Sequence, residues 1–198
     1  MIDDRPATAG EETLDYAFRP SLLGAPWEFS LRGQSLDWRA GRKSGAVALR
    51  DIYRVRLSFR PGTMQNQRFL AEIWAPGAPK LQICSSSGKG LADQSELGRA
   101  YAIFVVELHR RLAATRSPVR FEHGSNPLLY WPGAAVFAGV AIGMAVLAVS
   151  TLRENAGAGA GFVAVLLVFL WQAGNYFRRN RPGEYRPDAL PAELMPRL

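Results

Sequence analysis

Residues 128–152 read LLYWPGAAVFAGVAIGMAVLAVSTL and contain no charged side chain. At a rise of roughly 1.5 Å per residue, a helix of this length exceeds the ~30 Å hydrocarbon core of a bilayer. A second uncharged stretch, residues 156–177, reads AGAGAGFVAVLLVFLWQAGNYF. Core helices of soluble proteins normally carry polar residues along one face, and neither stretch does. We therefore predict a transmembrane hairpin within residues 125–178, with spans at about 128–152 and 156–177.

The residues that flank the two spans predict their orientation, because lysine and arginine near a span are retained on the cytoplasmic side. The connection holds a single arginine, Arg153, next to Glu154. The outer flanks hold Arg110, Arg111, Arg116 and Arg120 before the first span and Arg178, Arg179 and Arg181 after the second. Aromatic residues at the same ends, Tyr130, Trp131, Trp171, Tyr176 and Phe177, indicate one shared interface. We expect a multi-pass protein of the bacterial inner (plasma) membrane with both termini in the cytoplasm.

Small residues recur every four positions in the first span, at Ala135, Gly139 and Gly143. Such a stripe lets two helix backbones approach closely. Packing against the second span of the same hairpin is the simpler interpretation and the one we expect. The alternative is a homodimer or a contact with another membrane protein.

Residues 24–124 have the pattern of a β-rich domain closed by one helix. Strand-like segments at residues 27–31, 35–39, 46–49, 52–59, 69–75 and 80–86 are separated by turn residues. In the fourth segment Tyr53, Val55, Leu57 and Phe59 alternate with Arg54, Arg56, Ser58 and Arg60. A period of two predicts one buried and one solvated face. The helix is expected over about residues 93–114, with Asp93 as its N-cap.

The step Leu49, Asp51, Ile52 and Val55 leads from one strand into the next. With the neighbouring strands and the single helix, it resembles the bacterial PH-like domain over residues 24–116. The resemblance implies a β-barrel or sandwich capped by one C-terminal helix. In bacterial families such a domain often lies beside transmembrane helices, but the fold does not name a ligand.

Basic residues are concentrated between positions 32 and 68, where nine basic side chains stand against two acidic ones, and the whole chain has a formal charge of +7. Side chains of this kind near an anionic leaflet each gain on the order of 1 kcal/mol. The candidate contacts with an anionic surface are Arg42, Lys43, Arg54, Arg56 and Arg60. The alternative is a solvated sheet face that merely obeys the positive-inside rule. Nucleic-acid binding is not favoured, because no recognised motif accompanies the charge.

The sequence offers no catalytic, metal or cofactor motif. Cys84 is the only cysteine, so an intramolecular disulfide and a four-cysteine zinc site are excluded. His109 and His123 have no clustered third ligand and are interpreted as surface or packing residues. We therefore expect no enzyme activity and no cofactor.

The two ends of the chain flank these regions. Residues 1–23 form an N-terminal segment without the apolar core of a signal peptide. Residues 179–198 contain four prolines and favour an extended tail that either binds a partner or packs along the domain. The leading hypothesis is a PH-like binding module that contacts anionic lipid or a membrane partner. The second hypothesis is an accessory or assembly subunit of a larger membrane complex.

Overall fold

The structure is a computed structural model that describes residues 13–20, 24–61, 67–86, 94–115 and 117–196. Within these residues the chain forms nine strands, three α-helices and two short 3-10 helices. The strands are β1 (Leu14–Phe18), β2 (Trp27–Arg32), β3 (Ser35–Ala40), β4 (Lys43–Ala48), β5 (Arg54–Pro61), β6 (Gln67–Trp74), β7 (Leu81–Cys84), β8 (Arg120–His123) and β9 (Gly183–Glu184). The helices are α1 (Gln94–Ala114), α2 (Pro127–Glu154) and α3 (Ala156–Arg179), and the 3-10 helices span Leu49–Asp51 and Ala192–Leu194.

The strands form two sheets that share one core. One sheet has the order β1-β2-β3-β4 and the other the order β7-β6-β5-β8-β9. The described strands do not close, so the barrel form of the prediction is wrong and an open two-sheet arrangement remains. A β-rich region followed by two long apolar helices is confirmed.

Helix α1 packs its apolar stripe into this core. Tyr101, Phe104 and Leu108 are completely buried, and the Phe104 ring lies 5.7 Å from Tyr16 and 6.5 Å from Phe29. The helix therefore covers the first sheet, as the predicted single capping helix requires. Its expected N-cap, Asp93, lies outside the described residues.

Helices α2 and α3 are each long and apolar enough to cross a membrane. Only 6% of the apolar 18-residue stretch in each helix is buried. The core helix of a soluble protein is mostly buried, so both helices differ from it. They are joined by Asn155 alone, whose Oδ1 accepts hydrogen bonds from the backbone N of Gly157 and Ala158. At the other end the Phe137 ring lies 5.1 Å from that of Phe177.

Both ends of this hairpin are attached to the second sheet. Strand β8 leads into α2 and pairs in parallel with β5, while β9 follows α3 and pairs antiparallel with β8. Gly124 N donates to Leu57 O at 2.8 Å, and Ser125 N donates to Asn180 O at 2.9 Å. The apolar helices are thus an insertion between two neighbouring strands and not an appendage on a linker.

Three sequence expectations differ from the structure or are resolved by it. The first sheet begins at Leu14, inside the predicted N-terminal segment 1–23, of which residues 1–12 and 21–23 lie outside the described residues. The tail packs along the domain, since Leu194 is 2% exposed within the core.

Gly139 and Gly143 do not pack on α3: both are exposed, and a Cβ on either would meet no neighbouring atom within 4 Å. Contact of this stripe with another helix stays a prediction.

Candidate functional site

The side chains of β5 that point away from the core form a ladder with those of β6. In this register Arg54 lies opposite Trp74, Arg56 opposite Glu72, Ser58 opposite Leu70 and Arg60 opposite Arg68. On the other face Val55, Leu57 and Phe59 are at most 5% exposed, which confirms the predicted core face. Tyr53, expected on that face, is 51% exposed because it lies just before the strand begins.

Two arginines of this ladder form ion pairs within the protein. The Nη2 atoms of Arg54 and Arg56 each lie 2.7 Å from Glu122 Oε2. Both guanidinium groups also lie over the Trp74 ring, at 4.9 and 5.5 Å from its centroid. Burial opposes ionisation of Glu122, but the hydrogen bonds from the two arginines outweigh it and lower its pKa. The expected solvated face is, at this end of β5, a partly buried ion-pair cluster.

Glu72 forms a second satisfied pair. Its Oε1 accepts hydrogen bonds from Lys80 Nζ at 2.8 Å and from Gln82 Nε2 at 2.9 Å. Burial raises the pKa of Glu72, but these hydrogen bonds and the nearby positive charges lower it overall. The carboxylate is therefore ionised at neutral pH, and its Oε2 accepts no hydrogen bond from the described residues.

Arg60 and Arg68 differ from this pair, although the positive charge of Arg60 contributes to the lowered pKa of Glu72. They are direct cross-strand neighbours, and both are exposed. Neither guanidinium lies within 4.0 Å of a carboxylate of the described residues. Like charges directly opposite one another destabilise a sheet pair. An anion placed between them would relieve this repulsion.

A groove of about 740 Å³ adjoins this pair, between the charged ladder and the start of the apolar hairpin. The sheet contributes Arg56, Ser58, Phe59, Arg60, Glu72 and Lys80. The hairpin and its two connections contribute Gly124, Ser125, Asn126, Leu129, Tyr130, Gly133, Tyr176, Phe177 and Asn180. One half of the groove is therefore cationic and hydrogen-bonding, while the other is apolar and aromatic. This size is usual for sites that bind small ligands.

The groove is held by contacts that join the sheet to the end of α3 and α3 to α2. Asn180 Oδ1 accepts from Phe59 N at 3.1 Å, and the hydroxyl of Tyr130 donates to Phe177 O at 3.1 Å. The Arg179 guanidinium lies 4.8 Å from the centroid of the Phe59 ring. These contacts cross from β5 to α3 and from α2 to α3. They fix the spacing between the cationic half and the apolar half.

The lining of the groove combines hydrogen-bond donors with apolar surface. Among the described residues there is no group of three histidine, cysteine or acidic side chains that could hold a metal ion. The cationic half offers guanidinium and ammonium donors, and the apolar half opens beside Leu129, which is 75% exposed. A ligand that matches both halves carries a phosphate or carboxylate next to a hydrocarbon chain.

The chain matches no protein-family model, and no curated protein and no solved structure matches it.

The structure separates the five candidate basic residues. Arg56 and Arg60 line the groove, and Arg54 neighbours them in the Glu122 cluster. Arg42 and Lys43 lie at the turn between β3 and β4, exposed on the other sheet. Whether any of the five contacts an anionic surface stays a prediction.

Sequence reasoning missed Glu72, which lines the groove, and Arg68, which is the cross-strand neighbour of Arg60. Arg68 and Glu72 were not singled out because their importance depends on the register of β6 against β5. In that register Arg60 lies opposite Arg68, which places two like charges side by side. The aromatic residues at the outer ends of the spans did give a usable signal, since Tyr130, Tyr176 and Phe177 all line the groove.

Proposed function

We propose that this chain is a two-pass protein of the bacterial inner membrane whose cytoplasmic PH-like module binds an anionic lipid headgroup in the groove. The observation that carries the proposal is that Arg60, which forms no ion pair with the described residues and lies opposite Arg68, lines a groove together with the ends of two apolar helices. If the two helices span the membrane, basic side chains at their sheet-side ends would lie at the level of the lipid phosphates. Each basic side chain near an anionic leaflet gains on the order of 1 kcal/mol.

Two features support the location and the module type. Arginines are concentrated at the ends of α2 and α3 that attach to the sheet, and Arg153 is the only basic residue near the connecting turn. This distribution favours a cytoplasmic sheet domain. The chain order of strands in two sheets followed by one covering helix supports the PH-like resemblance, while β8 and β9 go beyond it.

Native mass spectrometry of the full-length protein in mild detergent tests the proposal. Equal amounts of phosphatidylglycerol and phosphatidylcholine are added, and the ratio of the first bound lipids is measured. The wild-type protein is expected to favour phosphatidylglycerol at least tenfold. The double variant Arg60→Glu, Arg68→Glu is expected to lose this preference, with its thermal midpoint recorded to verify folding.

The matched control is the double variant Arg42→Glu, Lys43→Glu, which makes the same charge change on the other sheet. It is expected to keep the wild-type preference. Equal binding of both lipids by the wild type would overturn the proposal, as would an unchanged preference in the Arg60, Arg68 variant. Loss of preference only in the control would place the contact at the β3–β4 turn and refute the groove.

A second candidate is an accessory or assembly subunit, favoured by the exposed Gly139 and Gly143. In this case α2 would pack against a helix of another chain. Blue-native electrophoresis of solubilised membranes would then show a complex that Gly143→Leu dissociates. Migration of the wild type as a single chain would refute this candidate.

A further inference from the structure

We infer that the groove holds one whole phospholipid, with its phosphate in the cationic half and an acyl chain in the apolar half. The inference rests on the proposed function and deepens it. Binding at a flat basic surface needs only the headgroup. The groove instead joins Arg60 and Lys80 to Leu129, Gly133 and Phe177 in one continuous lining.

The first argument concerns the apolar half. It is built from both helices at the end where they meet the sheet, by Leu129 and Gly133 of α2 and Phe177 of α3. Leu129 is 75% exposed, so this half opens toward the space that hydrocarbon chains would occupy around α2. A lipid could therefore keep its chain in apolar surroundings while its headgroup reaches the arginines.

The second argument concerns Gly133, which leaves room for the chain. A Cβ at this position would lie 3.7 Å from Phe177 Cε1, which is ordinary contact. Since Gly133 and Phe177 both line the groove, a larger side chain at position 133 would pack against the Phe177 ring or displace it. A larger residue at position 133 is therefore expected to reduce the space in the apolar half.

The third argument concerns the headgroup. Glu72 lines the same half of the groove, is ionised, and has one oxygen without a donor among the described residues. A carboxylate beside the phosphate site disfavours a doubly charged phosphate monoester and favours a headgroup that offers hydrogen-bond donors. The lipid that fits is a phosphodiester with hydroxyl groups, of which phosphatidylglycerol is the test case.

The experiment is a native mass spectrometry titration of the delipidated full-length protein with phosphatidylglycerol. Gly133→Leu fills the apolar half, and Gly139→Leu is the matched control, because it makes the same change on the same helix where the added side chain meets open space. Gly133→Leu is expected to weaken binding of the first lipid at least tenfold. Gly139→Leu is expected to bind as the wild type does.

A second measurement needs no variant and distinguishes a lipid from its free headgroup. Water-soluble glycerophosphoglycerol carries the same phosphodiester without acyl chains and is expected to compete at least a hundredfold more weakly than the lipid. Equal competition would overturn the inference, as would wild-type binding by Gly133→Leu.

The inference and the proposed function fail differently. If Gly133→Leu binds normally while Arg60→Glu, Arg68→Glu loses its lipid preference, the headgroup site stands and the chain site does not. If the arginine variant keeps its preference, both are wrong.

Discussion

Arg56 and Arg60 lie four residues apart on the same face of β5, and their charged partners differ. Glu122 lies 2.7 Å from Arg56, whereas the cross-strand neighbour of Arg60 is Arg68. Removing either partner of a partly buried ion pair leaves a costly unpaired charge. A guanidinium opposite another one is a better place for an external anion. The charge-reversal experiments therefore leave Arg54 and Arg56 unchanged.

His109 predicts how stability depends on pH. Its ring is fully buried, and burial lowers its pKa to about 4 despite the hydrogen bond to Val105 O. Since that carbonyl only accepts, Nδ1 carries the proton and Nε2 accepts from the Tyr185 hydroxyl at 2.7 Å. The folded chain thus holds His109 neutral, while the unfolded chain protonates it below its ordinary pKa of 6.5.

The sign follows from this difference. Stability is complete above pH 6.5 and is lost as the pH falls toward about 4, because only the unfolded state binds the proton. Between pH 7 and pH 5 the loss is about 2 kcal/mol, or roughly 4–8 °C in Tm for a chain of this size. Circular dichroism of the protein in nanodiscs can measure it. His109→Gln, which cannot titrate there, should show a clearly smaller decrease over the same interval; an equal decrease would exclude His109 as the cause.

Gly124 tests how the sheet holds the hairpin. Its φ of +83° is in the left-handed region, and a Cβ there would overlap the carbonyl oxygens of Asn180 and Arg181. Gly77 has a similar φ of +73°, but a Cβ there would meet no atom within 4 Å. Gly77→Ala is therefore expected to cost only the left-handed strain of about 1–2 kcal/mol.

Gly124→Ala adds to this strain a collision with the backbone that follows α3. We expect a decrease in Tm at least twice that of Gly77→Ala. We also expect faster proteolysis at the two connections between the sheet and the hairpin, β8–α2 and α3–β9. Equal decreases in the two variants would mean that the backbone near Asn180 can move aside and that the attachment is not rigid.

At the scale of the elements, the hairpin is set by a tight turn and not by the small-residue stripe. Gly159 is buried, and a Cβ there would lie 2.5 Å from Leu152 Cα. This atom belongs to the backbone, so no side-chain rotation can relieve the overlap. Gly159→Leu is expected to destabilise the helix pair by about 1–3 kcal/mol, as overpacking does. Gly139→Leu should leave it unchanged. Unfolding in sodium dodecyl sulfate, followed by helical circular dichroism, compares them, and equal stability of the two variants would refute this assignment.

Elements with a local pattern were predictable from sequence. The alternation around Val55 and Leu57 and the uncharged run at residues 128–152 predict a strand and a long helix because each signal depends only on neighbouring residues. The small-residue period of α2 was equally visible, but period alone does not say which face meets α3. The observed contacts involve Phe137 and Gly159 instead.

Contacts between distant parts of the chain were not predictable. Glu122 pairs with Arg54 and Arg56, which precede it by 68 and 66 residues, and nothing local to either segment indicates the contact. The tail is a similar case. Its prolines exclude regular helix, but only the structure reveals that Tyr185 bonds His109 and that Leu194 is buried. The groove depends on both kinds of contact, so its cationic residues could be proposed from sequence while its shape could not.

For the whole molecule, the insertion of α2 and α3 between β8 and β9 places both ends of the hairpin on one sheet. Helix α2 has 28 residues, and at 1.5 Å per residue this is about 42 Å, which covers the hydrocarbon core and part of the interface. If the helices span the bilayer, the sheet domain and tail lie on one side of it and Asn155 on the other. The arginines predict that the sheet side is cytoplasmic.

This topology can be tested because the chain has a single cysteine. In a Cys84→Ser background, Asn155→Cys reports on the turn of the hairpin and Asp188→Cys on the exposed tail. In intact bacterial spheroplasts a membrane-impermeant maleimide is expected to label position 155 only, because the positive flanks of the spans stay inside. In inside-out vesicles it is expected to label position 188 only. The reverse pattern would place the domain outside the cell and separate the groove from the cytoplasmic leaflet. Labelling of both positions from the same side would show that the hairpin does not cross the membrane.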